Sequence, residues 1–208
     1  MHKSPDDFML LALQEAKKAY ALDEVPIGSV IVKNGNIIGV GFNQVISHRS
    51  VASHAEINAI ISASQALNNY RLNECDIYVT LEPCHMCAKA IVDARIDSLY
   101  FGANEPKTGA IESIDQFLNR IDLNHKVVFS GGHMQDESSN LLRKFFYTIN
   151  VDHINPNTKY AHFLDLIIID FISLTASAIP DLTALAIIEW PIFNSLISLI
   201  AAISLVFS

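Results

Sequence analysis

Two cysteines and a histidine are the residues of this chain best suited to hold a metal ion. Cys84 and Cys87 lie in Thr80-Leu81-Glu82-Pro83-Cys84-His85-Met86-Cys87, where the apolar stretch Ile77 to Leu81 runs into Pro83. Proline suits the first turn of a helix, because its missing N–H would have no partner there. Cysteines three apart at a helix start share a face, and the positive end of the helix dipole favours their thiolates. Two thiolates on one face are half of a zinc site. His54, in His54-Ala55-Glu56, opens an apolar helical run and supplies a third, neutral ligand. Three protein ligands leave a tetrahedral ion one position for water, the pattern of a catalytic rather than a structural site. Glu56 sits in the same first turn, so its carboxylate can reach a site lying off the helix end and carry protons beside that water. A lone C-x-x-C is a weak signal, shared by redox and structural pairs. The whole constellation is much stronger.

These residues need elements to position them. Phe8, Leu11, Ala12, Ala16 and Ala19 recur at helical spacing after Ser4-Pro5-Asp6, which predicts a helix from about Pro5 to Leu22. Asn34-Gly35 between Ser29 to Lys33 and Ile37 to Phe42 is a two-strand hairpin signal. His54 to Leu67 reads as a helix with Ile57, Ile60 and Ile61 on its buried face. Ile77 to Leu81, Ser98 to Phe101 and Lys126 to Phe129 read as strands. Helices follow over Cys84 to Ala94 and Gln135 to Tyr147, with a short helical piece at Ile114 to Leu118. Strands alternating with helices after one hairpin predict a three-layer α/β/α sandwich around a five-stranded mixed sheet. Both halves of the metal site fall at helix N-termini, outside strand ends, where open α/β sheets commonly place their sites.

Composition narrows the setting. Of three cysteines two are in the metal motif, so a disulfide framework is not expected, and Cys75 reads as a small buried residue. The polar Met1 to Asp7 does not begin like a signal peptide, and the cysteine usage suits a reducing, cytoplasmic setting. The formal net charge of −8 is uneven, because no Lys or Arg follows Lys159 while Asp165, Asp170, Asp181 and Glu189 do. His48, Arg49, His125 and His133 read as loop or surface residues, and Asp115, Asp122 and Asp136 as caps or solvated groups. His85 should point away from the face that Cys84 and Cys87 share. Asn43, after the second strand, reads on its own as a turn residue.

H-x-E followed by P-C-x-x-C is the signature of the zinc nucleobase deaminases. Residues from about 5 to 147 resemble, more narrowly, the bacterial tRNA-specific adenosine deaminases of the cytidine deaminase-like superfamily. The narrower likeness rests on Glu24-Val25-Pro26-Ile27-Gly28, Asn69-Tyr70-Arg71-Leu72, Phe101-Gly102-Ala103 with Lys107-Thr108-Gly109, and Phe145-Phe146. The resemblance implies hydrolytic conversion of adenosine to inosine at the wobble position of an arginine tRNA anticodon. It implies His54, Cys84 and Cys87 as ligands of one Zn²⁺ per subunit, with a water on the ion as nucleophile and Glu56 as proton shuttle. It makes Asn43 a substrate ligand, joined by Val25, Ala55, Glu82 and Pro83 as substrate contacts. It also implies a homodimer that binds the tRNA anticodon loop. The rival readings are a deaminase of a free base or nucleoside, guanine or cytosine, and a non-catalytic RNA-binding module. Glu56 argues against the last, since a structural site has no use for a carboxylate there.

The deaminase domain is expected to occupy 1–149, followed by a polar linker over 150–162 and a hydrophobic, helical tail over 163–208. Ile192 to Phe207 is apolar but short for a membrane span, which needs about 20 residues. Phe163 to Ile188 is longer but carries Asp165, Asp170 and Asp181. The tail is therefore read three ways: a membrane hairpin, a packed helical pair, or an appended segment without a role in catalysis. Every candidate ligand and strand precedes Asn150. A stop after Asn155 should therefore leave zinc content, thermal melting and inosine formation at full-length levels. Loss of folding or activity in the shortened protein would show that the tail completes the domain.

Overall fold

The computed structural model describes residues 4–154, and the elements run in the order the sequence predicts. Helix α1 (Pro5–Ala21) starts at a capping box: the Asp7 N–H donates to Ser4 Oγ at 3.3 Å and the Ser4 N–H to Asp7 Oδ2 at 2.7 Å. Strands β1 (Gly28–Lys33) and β2 (Asn36–Phe42) form an antiparallel hairpin. Asn34 and Gly35, both at positive φ, make its two-residue turn. Helix α2 (Ala55–Leu67) is followed by β3 (Cys75–Leu81), α3 (His85–Asp93), β4 (Ser98–Ala103), a 3₁₀ turn (Phe117–Asn119), β5 (Val128–Ser130) and α4 (Gln135–Ile154).

The sheet order is β2-β1-β3-β4-β5. β1 is antiparallel to both β2 and β3, while β3–β4 and β4–β5 are parallel. Alternation along the central strands loads both faces. Ile31, Ile77, Val79, Leu99 and Phe101 bury one face with α2 and α3 through Ala59, Ala63, Ala88, Ile91 and Val92. Val30, Val32 and Tyr78 bury the other with Phe8, Met9 and Ala12 of α1. These are the three layers expected of the cytidine deaminase-like fold. On the α1 side, Phe145 of α4 meets the Tyr20 ring edge-on at 5.7 Å.

Several features differ from the sequence reading. The buried face of α2 is Ala55, Glu56, Ala59 and Ala63, while Ile57 and Ile60 are half-buried and Ile61 is exposed. The reason is close approach: a Cβ on Gly39 would stand 2.6 Å from the Ala59 carbonyl oxygen, and one on Gly41 2.3 Å from that of Ala55. Alanines facing glycines let helix backbone rest on strand backbone, and the bulky isoleucines turn outward. The helical piece near 114–118 is a single 3₁₀ turn at Phe117–Asn119, and the fifth strand is three residues long. Helix α4 runs on to Ile154, so the first residues of the expected linker are helical. The rest of that linker and the apolar tail lie outside the described residues.

Met1–Asn150 forms one compact unit. Among the described residues, no helix is long and apolar enough to cross a membrane. The α2–β2 contact gives a direct test. Gly41→Ala should cost about 3 kcal/mol, at the upper end of overpacking effects, because its methyl meets backbone that cannot rotate away. Equilibrium unfolding in urea checks this, and a loss under 0.5 kcal/mol would show that the helix can shift without penalty.

Candidate metal and catalytic site

The start of β1 and the ends of β2, β3 and β4 lie at the same end of the sheet. Helices α2 and α3 begin there. His54 is the N-cap of α2 and Cys84 the N-cap of α3, both with extended backbone. Cys87 lies one turn into α3 and is fully buried. The segment carrying the cysteines is held at both ends. The Glu82 N–H donates to the Ala103 carbonyl at 2.8 Å and the Ala110 N–H to that of Pro83 at 2.9 Å, while Cys84 bridges Gly109.

The structure brings the three sequence-predicted ligands together. His54 Nδ1 is 3.5 Å from Cys87 Sγ and 3.8 Å from Cys84 Sγ, and all three donor atoms lie within 4.8 Å of one another. Donors about 2.0 and 2.3 Å from a tetrahedral Zn²⁺ stand about 3.6 Å apart, so a soft N/S₂ set at this spacing fits zinc. The thiols are strongly coupled. Cys84 is drawn down to about 3, first by its hydrogen bond with Cys87 and then by His54. Cys87 is pushed upward, first by the Cys84 sulfur and also by burial. The pair thus offers one ready thiolate, and a divalent cation would displace the remaining proton. Glu56 is 4 % exposed, and burial lifts its carboxyl to about 7. That value suits a group that must both accept and return a proton near neutral pH.

Asn43 is buried, and its Oδ1 accepts the Ala55 N–H at 2.9 Å, satisfying one of the open donors at the α2 start. Its amide nitrogen makes no hydrogen bond among the described residues. Asn58, which the sequence reading passed over, donates through Nδ2 to the Phe42 carbonyl at 2.8 Å and ties α2 to the end of β2. Its place four residues after His54, one turn on, was the only signal of that role. Ala55 and Pro83 are buried beside the ligands in sequence. Val25 lines a separate groove of about 760 Å³ with Leu81, Asn104, Arg143, Phe146 and Tyr147. His85 points away from the sulfurs and pairs with Asp115 at 2.7 Å. His125 Nε2 lies 2.7 Å from the Ile96 carbonyl, and His133 pairs with Asp6, so neither joins the cluster.

Glu82, expected as a substrate contact, has intramolecular partners for both carboxylate oxygens. Its carboxylate faces the 105–113 loop. Oε1 accepts the N–H groups of Ile111, Glu112 and Ser113 at 3.0, 2.7 and 2.9 Å. Oε2 accepts the Glu105 N–H at 2.9 Å and the Ser113 hydroxyl. A Cβ on Gly109 would stand 2.4 Å from this carboxylate, so glycine there makes room for it. Five donors occupy both oxygens, and Glu82 serves the site by holding the loop against the cysteine segment. Burial alone would raise its pKa, but Ser113 and the backbone donors outweigh that and hold it below the usual range.

A family model described as the cytidine and deoxycytidylate deaminase zinc-binding region matches residues 2–103. A tRNA-specific adenosine deaminase of Agrobacterium fabrum is 46% identical over 145 residues, covering 70% of this chain and 95% of that one. One of Haemophilus influenzae is 44% identical over 142 residues, covering 68% and 82%. Among solved structures, one from studies of A-to-I editing by tRNA:A34 deaminases at the wobble position aligns with a TM-score of 0.63 and 46% identity, covering 65% of this chain and 98% of that one. A guanine deaminase of Nitrosomonas europaea aligns with a TM-score of 0.59 at 25% identity, covering 68% and 84%.

The Glu82 network predicts an acid-sensitive loop. A carboxylate with a depressed folded-state pKa stabilises the fold above its unfolded pKa, and that contribution is lost as pH falls through the lower, folded value. Glu82→Gln places an amide NH₂ against N–H donors and should cost about 3 kcal/mol. It should also flatten the acid limb of the stability profile, measured by urea unfolding between pH 3 and pH 7. Parallel profiles for the two proteins would mean that Glu82 does not supply this pH dependence.

Proposed function

The chain belongs to the tRNA-specific adenosine deaminases, and from that premise we propose that it converts the wobble adenosine of a tRNA anticodon, an arginine tRNA's, to inosine. The observation that carries this reading is the meeting of His54 Nδ1 and the two cysteine sulfurs with the buried Glu56 carboxyl in the α2 and α3 first turns. His54, Cys84 and Cys87 would hold the zinc, which when bound supplies a Lewis acid that makes water nucleophilic near neutral pH.

The chain's own residues do the rest. Glu56 takes a proton from the attacking water and passes it to N1 of the adenine ring as the new C–O bond forms at C6. It then helps protonate the departing amine, so adenosine and water become inosine and ammonia. Asn43, its Oδ1 fixed by Ala55, can aim its amide nitrogen at an acceptor on the base edge. The adenosine has to leave its stack, which costs less in a single-stranded loop than in a duplex.

The groove beside Val25 and Leu81 supports a single-stranded RNA substrate. Arg143 offers a cation for phosphate, and the exposed rings of Phe146 and Tyr147 offer faces on which bases stack. Exposed Met86 in the first turn of α3 and Ile114 after the Glu82-held loop support assembly of two copies next to the site. A tRNA substrate and three cysteines free of disulfides fit a cytoplasmic setting. Guanine deamination is the second reading, favoured by the Nitrosomonas structure's similar fold.

Glu56→Ala should keep about one zinc per chain and lose at least 10³-fold in inosine formation on an anticodon stem-loop. Metal analysis and nucleoside chromatography read the two quantities. Near-normal turnover in that variant would overturn Glu56 as the proton carrier. Activity on free guanine but none on stem-loop RNA would overturn the tRNA reading.

A further inference from the structure

Glu24 is a second buried carboxylate that serves backbone donors, and the chemistry above does not use it. It is 1 % exposed, in the connection between α1 and β1, and its N–H donates to the Ala19 carbonyl at 3.0 Å. Its Oε1 accepts the Ser47 N–H at 2.8 Å and the Ser47 hydroxyl at 2.9 Å, and its Oε2 accepts the Ile46 N–H at 3.2 Å. Burial would raise its pKa, yet these donors, with the Val45 backbone, keep it low.

The donors belong to a loop that closes on itself. The Gln44 N–H donates to the Ser53 carbonyl at 3.0 Å, the His48 N–H to Gln44 at 2.9 Å and the Ser50 N–H to Val45 at 3.1 Å. The His48 ring lies 3.1 Å from Gln44 Nε2 and 3.3 Å from Ser53 Oγ. Residues 44–53 thus form a compact unit with exposed Ile46, Arg49 and Val51, ending one residue before His54. Glu24 fastens that unit to the connection whose next residue, Val25, lines the groove with Arg143 and Phe146. His54 donates its N–H to the Ala52 carbonyl of the loop at 2.8 Å, but His54 and Glu56 have further holds outside it, in Asn43, in the Asn58 bond to Phe42 and in the seat of α2 on β2.

We propose that Glu24 is a positioning residue for RNA: it sets the distance between the 44–53 loop and the Val25 groove, and so the grip on nucleotides flanking the reacting base. This rests on the deaminase reading above. In this proposal exposed Arg49 of the loop and Arg143 of the groove meet phosphates of nucleotides flanking the reacting base, and Glu24 keeps the two in register. Binding should therefore depend on Glu24 while the chemical step does not.

The test uses the full chain loaded with zinc and an anticodon stem-loop RNA. Glu24→Gln turns an amide NH₂ towards the loop donors and should raise KM about 10-fold, with kcat and zinc content within twofold of wild type. Glu24→Asp keeps the charge but retreats by one methylene, and should give an intermediate KM if the glutamine variant folds poorly. Ser47→Ala removes the hydroxyl but keeps the backbone donor, and should leave KM within twofold. Hydrogen exchange should be faster at the Ile46 and Ser47 amides in Glu24→Gln and unchanged in β1 and β3. An unchanged KM in both Glu24 variants, or a fall in kcat with no change in KM, would overturn the proposal. Wild-type protein inactive on the RNA would overturn the deaminase reading itself, whatever the variants do.

Discussion

Two helices have to deliver their first residues to one point, with the tolerance that a small ion's coordination shell allows. The rest of the site depends on meeting that constraint. His54 comes from α2, which rides on the antiparallel hairpin, and the cysteines come from α3, which follows the parallel part of the sheet. Nothing local links them, since 30 residues separate His54 from Cys84. Their spacing is set by how closely α2 lies on β2 and by how firmly the Pro83 segment is held to β4 and to the 105–113 loop. Removing side chains does the first: glycines on the strand meet alanines on the helix. Hydrogen bonds do the second.

Helix starts and sharp loops leave backbone N–H groups without partners, and buried ones must find acceptors. The chain meets this requirement with anionic and amide side chains. Asn43 serves the start of α2, Glu82 the 105–113 loop and Glu24 the 44–53 loop. Each carboxylate is buried yet ionised, because several donors point at it. Glu56 is the contrast. It lies deeper, so burial dominates there and its pKa rises to about 7. One residue type therefore takes two electrostatic states, and depth of burial together with the number of N–H groups facing each sets which it adopts.

Much of this was legible in the sequence because it follows from spacing. The cysteine pair at a helix start, the histidine at another and the Asn34-Gly35 turn are all short-range patterns, and the structure places them as read. The outward turn of Ile61 was not legible, because helical periodicity marks apolar residues and says nothing of strand glycines opposite. Nor was the role of Glu82. Its five donors lie 23 to 31 residues further along the chain, in a loop with no periodicity to reveal it. The last helix also runs past the Tyr147 end read from the sequence, to Ile154.

The division of the ligands between the two parts of the sheet has a consequence for folding. The β1–β2 hairpin with α2 is stitched by contacts close in sequence, the kind that form early and fast. The β3-α3-β4 unit is a parallel crossover, which closes a longer loop before any strand contact rewards it. An ion bound across His54 and the cysteines would span the seam between these two parts. Once bound, it would resist reopening along that seam and stabilise the folded chain by mass action.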